Sequence, residues 1–81
     1  MKYDIHRLKI NLKGHARHRF DERFPDMPYE MLMHHFRTGK FIKKPIKDGE
    51  VGTVIKRFRY GKICFKFIIQ DSEVWIITIG E

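Results

Sequence analysis

The segment His15-Ala16-Arg17-His18-Arg19, with Arg23 one turn further on, holds the residue types that phosphodiester cleavage needs. At a spacing of four, His15, Arg19 and Arg23 form one row along a helix. An imidazole exchanges a proton near neutral pH, while guanidiniums hold a phosphate and the charge that builds on it in the transition state. Arginine neighbours disfavour the protonated form of an imidazole, which suits a general base. The same spacing equally describes a basic surface helix that carries no chemistry.

A second group is the run Lys56-Arg57-Phe58-Arg59-Tyr60, followed by Lys62 and Lys66. Guanidinium forks pair with phosphate oxygens, and exposed aromatic rings stack on bases. On a strand, Arg57 and Arg59 project to one face, Phe58 and Tyr60 to the other. The plainer alternative is a solvated outer face whose long side chains cover apolar surface. Five histidines (His6, His15, His18, His34 and His35) raise the question of a metal. Structural zinc sites want four nitrogen or sulfur ligands at defined spacing, and no carboxylate or thiol partner accompanies these histidines, so no metal site is expected. Cys64 reads as a small packing residue, and Trp75, in the company of VWIITI, as a core anchor rather than a stacking platform. Thr78 has the β-branched shape that suits a strand.

The elements that must position these groups follow from periodicity. Residues 14–24, GHARHRFDERF, form a helix with Ala16, Phe20 and Phe24 on one stripe, ended by Pro25. Asp26 as cap and Pro28 in the first turn introduce a second helix. Its Tyr29, Leu32, Met33 and Phe36 obey the i, i+3, i+4, i+7 rule, and Gly39 stops it. From residue 41 the period falls to two. FIKKPI is a short strand, placed at an edge by Pro45. Asp48-Gly49 marks a turn, residues 51–60 a strand, and Gly61-Lys62 a tight turn into ICFKFII. There Ile63, Phe65, Phe67 and Ile69 share one face, while Cys64, Lys66 and Ile68 share the other. QDSE turns once more into VWIITIG. Residues 1–12 alternate loosely through Tyr3, Ile5, Ile10 and Leu12, as a short strand or an irregular lead-in. The expected layout is one α+β domain over residues 1–81. Its two N-terminal helices pack on a curved four-stranded antiparallel meander. Phe20, Phe24, Leu32, Phe36, Phe65 and Phe67 should form the core.

The totals bound the function. With 42% apolar and 14% aromatic residues, the chain is no disordered tail. No segment approaches the roughly 18 apolar residues of a membrane span. The opening MKYDIHRLKI has no apolar stretch of the signal-peptide kind, so a cytoplasmic location without membrane contact is expected. A single cysteine forms no internal disulfide. Net charge is the dominant feature: seventeen Lys and Arg against ten Asp and Glu leave +7 on 81 residues. Such a field draws in a polyanion and releases its counterions, which points to RNA first and to an acidic protein partner second.

The opening HARHRFDER, the second helix ending in RTGK and the strands closing on WIITIG resemble a known group. It comprises small bacterial and phage domains with an HAxxR start. These are similar to the BrnT and RelE/ParE-type toxins of the barnase–EndoU–colicin–RelE-like RNase group. The likeness runs from about Gly14 onward. It implies a RelE-like fold and metal-independent, cofactor-free endoribonuclease activity through 2′-hydroxyl attack, restrained by a cognate antitoxin. The helix histidine of the group falls on His15 and its arginine on Arg19 or Arg23. The basic sheet position falls on Arg57 or Arg59, and the hydroxyl of the last strand on Thr78. Lys56, Tyr60, Lys62 and Lys66 would complete the RNA surface. The rival expectation is a non-catalytic module on the same fold that binds nucleic acid or a host protein, or an inhibitor that masks an acidic partner. The oligomeric state is left open.

Overall fold

Alternation of apolar and polar residues in the second half of the chain, and a 3.6-residue period in the first, do build two layers. A computed structural model describes residues 4–80. After a 3₁₀ turn at Ile5–Arg7 come β1 (Ile10–Leu12), α1 (Gly14–Arg23), α2 (Tyr29–Thr38), β2 (Lys40–Lys43), β3 (Gly52–Phe58), β4 (Gly61–Gln70) and β5 (Glu73–Gly80). Among the described residues the strands make one mixed sheet in the order β1-β5-β4-β3-β2.

Ile63, Phe65, Phe67 and Ile69 of β4 are buried, as their alternation requires, together with Val54 of β3 and Val74, Ile76 and Ile79 of β5. Both helices cover this side. α1 brings Ala16 and Phe20 into the core and α2 brings Leu32 and Phe36. Phe36 is the hub: its ring meets those of Phe41, Phe65 and Phe67 edge-to-face at 5.7, 5.4 and 5.1 Å. Phe24, expected in the core, is only half-buried, because it sits at the end of α1 where the helix leaves the sheet.

The sheet has one strand more than the antiparallel meander that periodicity suggested. β1 pairs with β5 in parallel, Ile10 opposite Val74 and Leu12 opposite Ile76. A three-residue strand has too few alternations to announce itself, and its partner lies at the far end of the chain. Its ends are tied by backbone bonds, from Val74 N–H to the Lys9 carbonyl at 2.8 Å and from Lys13 N–H to the Ile76 carbonyl at 2.9 Å. The Tyr29 hydroxyl donates to the Ile10 carbonyl at 2.7 Å, and burial pushes the Tyr29 phenol up. The hydroxyl therefore keeps its proton and its bond. Tyr3 lies outside the described residues.

Local signals were displaced in three places. Asp26 does not cap α2: the capping position is Pro28, with no side-chain bond, and the Pro28 carbonyl accepts from Met31 and Leu32. The β3–β4 turn is Arg59-Tyr60 rather than Gly61-Lys62, since Phe58 pairs with Gly61 and Arg57 with Lys62. β2 is an edge strand, as Pro45 suggested, but Pro45 itself follows it and packs over Gly52.

Gly39 follows the last turn of α2, and a glycine is needed there for a steric reason. Its φ of −71° is open to any residue. A Cβ there would lie 2.6 Å from Val54 Cγ1 in the core and 3.2 Å from the His35 carbonyl. Gly39→Ala should therefore cost about 1–3 kcal/mol through overpacking, read as a lower urea midpoint. Parent-like stability would show that α2 and β3 are not in this close contact.

Candidate nucleic-acid interface

Strand register decides which side chains share the side of the sheet that the helices leave uncovered. On β3 these are Thr53, Ile55 and Arg57, since Gly52 and Val54 are buried toward the helices. Register then sets Lys66 opposite Thr53, Cys64 opposite Ile55 and Lys62 opposite Arg57. From β2, Lys40 faces Ile55 and Lys43 faces Thr53. From β5, Thr78 faces Lys66 and Trp75 faces Ile68. The result is an apolar middle of Ile55, Cys64, Ile68 and Trp75 framed by Lys40, Lys43, Arg57, Lys62 and Lys66. Lys13 extends the frame, its ammonium 4.9 Å from the centre of the Trp75 ring. Among the described residues the register puts one acid on this side, Glu73, and Asn11 Nδ2 donates to its carboxylate at 2.6 Å.

Arg57 and Lys62 face each other directly, with Cβ atoms about 4.5–5.5 Å apart in such a pair. Like charges in register destabilise a sheet, and an anion between them would relieve the repulsion. The Lys66 ammonium donates to Thr53 Oγ1 at 3.0 Å, which holds it over the same face.

The residues that sequence reasoning singled out are divided by this register. Arg57, Lys62 and Lys66 lie on the uncovered side as a group. Lys56 points to the helix side, where its ammonium donates to Thr38 Oγ1 at 3.0 Å. Arg59 and Tyr60 form the hairpin tip, the guanidinium 5.5 Å from the ring centre, with Tyr60 91% exposed. Arg59 thus does not project alongside Arg57, because the turn interrupts the alternation. On α1, His15 and Arg23 are exposed and Arg19 is half-buried. The row runs about 12 Å from His15 to Arg23, at 1.5 Å per residue. Thr78 is on the uncovered side of β5, and α1 packs on the covered side. On the neighbouring rows of α1, Arg17 pairs with Asp21 and His18 with Glu22, each at 3.6 Å in solvent.

Trp75 was expected as a core anchor. It is half-buried on the uncovered side, under Lys13, and Val74 and Ile76 take the core instead. Lys13, Lys40 and Lys43 were not singled out at all. The alternation of KFIKK carried a signal, but only the β2–β3 register assigns its lysines to a face.

A separate cluster lies beside α2. His35 meets the Phe58 ring edge-on at 4.9 Å and the His34 ring at 5.9 Å. Its Nδ1 is buried with no hydrogen-bond partner. Burial, reinforced by Lys56 and His34, holds its pKa below the ordinary value of 6.5. The unfolded chain therefore takes up this proton at a higher pH than the folded one. The stability contribution is complete above the unfolded value and is lost as pH falls from there toward the folded value. Denaturation of the parent and of His35→Phe, compared between about pH 7 and pH 5, should show the smaller loss in the variant. Equal losses would mean that His35 gains its proton as easily folded as unfolded.

Comparison with family models, curated proteins and solved structures gives no match to this chain. Among the described residues no helix is long and apolar enough to cross a membrane.

Proposed function

We propose that this chain is a nucleic-acid-binding module that holds single-stranded RNA along the uncovered side of its sheet. The observation that carries the proposal is the gathering of Lys40, Lys43, Arg57, Lys62 and Lys66 on that side, around an apolar middle that includes Trp75. Cations that track a phosphate backbone, with rings on which bases stack, are the parts that sequence-tolerant single-strand binding uses. The resemblance of the HARHRFDER and WIITIG segments to RNA-cleaving toxins of the RelE-like group favours RNA over DNA.

Binding is put ahead of cleavage because the cations gather on the side of the sheet to which Thr78 turns, whereas His15, Arg19 and Arg23 stand on α1. The test is a fluorescence titration of a labelled single-stranded RNA, with the same RNA run afterwards on a denaturing gel. Salt-sensitive binding to intact RNA supports the module. Cleavage that disappears in His15→Ala would replace it with the endoribonuclease reading.

A further inference from the structure

On the helix side of the sheet, beside the hairpin tip, the surface folds inward. A cleft of about 340 Å³ opens between the end of α1 and the β3–β4 turn. Its floor is apolar, from Phe24, Met27, Phe58 and Ile63, and its rim carries Arg23 and Lys62. A second cleft adjoins it through Arg23, Phe24 and Met27 and runs toward Met31. Phe58, Met31 and Tyr60 expose 41%, 48% and 91% of their surface here. Apolar surface left in water beside cations marks a binding groove. The volume lies at the small end of ligand sites, enough for a planar ring with its attached sugar.

Two observations identify the occupant. Lys62 belongs both to the cleft and to the row of cations on the uncovered side of the sheet, opposite Arg57. A strand that follows that row reaches the cleft by rounding the hairpin edge at Lys62. The cleft also pairs an aromatic floor with a cationic rim, which complements a base joined to phosphates. We infer that this cleft receives one unstacked nucleobase of the bound RNA, with Arg23 and Lys62 against the flanking phosphates. The inference rests on the RNA reading of the sheet. It adds a site at which one base is taken out of the strand.

Gly61 gives a clean test. It pairs with Phe58, so a side chain at 61 shares the cleft side with that ring. A Cβ at Gly61 meets nothing within 4 Å, so Gly61→Leu fills the cleft while leaving core and charges alone. The probe is a uridine oligoribonucleotide of about twelve nucleotides, within the usual site sizes for single-strand binders. Methyl spectra of the methionines in the parent chain should show Met27 shifted by the base and Met33, which lines neither cleft, unmoved. Gly61→Leu should abolish that shift and weaken binding roughly tenfold, as loss of one stacked base does, with an unchanged salt slope. Met27 unmoved in the RNA-bound parent, or undiminished affinity in a folded Gly61→Leu, overturns the nucleobase site and leaves the sheet reading standing. A parent chain that binds no oligonucleotide overturns both. The methionine spectra use the parent alone, so that arm holds whether or not the variant folds.

Discussion

Phe36→Ala should lose about 3–5 kcal/mol of stability, the usual cost of removing a buried phenylalanine. The ring has no exposed surface and stands edge-on to Phe41, Phe65 and Phe67, so it joins α2 to β2 and to β4 at once. Each such aromatic pair adds about 0.5–1.5 kcal/mol beyond the area it buries. A domain of this size has roughly 4–12 kcal/mol in hand, at about 0.05–0.15 per residue, so a large part is at stake. Urea denaturation followed by Trp75 fluorescence should show a much lower midpoint, or no transition at all. Tyr60→Ala, in the solvated turn, should stay within about 0.5 kcal/mol of the parent. A loss under about 1 kcal/mol at Phe36 would mean that α2 presents a different face to the sheet.

That face was legible in the sequence because a helix with Leu32 and Phe36 four apart, and a strand with Phe65 and Phe67 two apart, repeat their pattern long enough to fix a phase. Phe20 and Ile69 followed from the same arithmetic. β1 did not, since Ile10-Asn11-Leu12 is too short for a period and is specified by its pairing to Val74, Trp75 and Ile76. The β3–β4 turn moved for a related reason. Gly61 looks like a turn residue, yet the register that places Phe65 opposite Val54 leaves Arg59-Tyr60 to reverse the chain.

The second large effect concerns charge. Arg57, Lys62 and Lys66 are exposed, so replacing all three with glutamate removes them from the face without disturbing the core. Repulsion between positions 57 and 62 is present in the parent already, so the exchange of sign leaves that cost about the same. RNA affinity should fall by about a hundredfold or more, because three cations that neutralise phosphate become three anions that repel it. A charge-reversed Arg17, held in its surface pair with Asp21 on α1, should change affinity far less. Equal losses at the two places would point to net charge rather than to the sheet face.

Which cations share a face was the part of the site that sequence could not supply. Adjacent residues such as Lys56 and Arg57 look alike in a basic run, and the pleat sends them to opposite sides. Lys40 and Lys66 lie far apart in the chain and reach one surface only through β3. Thr78 belongs with Lys66 by register, a pairing that only the fold supplies.

The most direct test of the binding face is the salt dependence of RNA affinity for the parent and for the triple glutamate variant. With about five phosphate contacts the parent should show a slope of log affinity on log salt of roughly −3.5, a loss of about a hundredfold between about 50 and 200 mM. In the variant the slope should shrink by about 2. A parent whose affinity is flat with salt, or a variant that keeps both the parent's affinity and its slope, would contradict RNA binding along the uncovered side of this sheet.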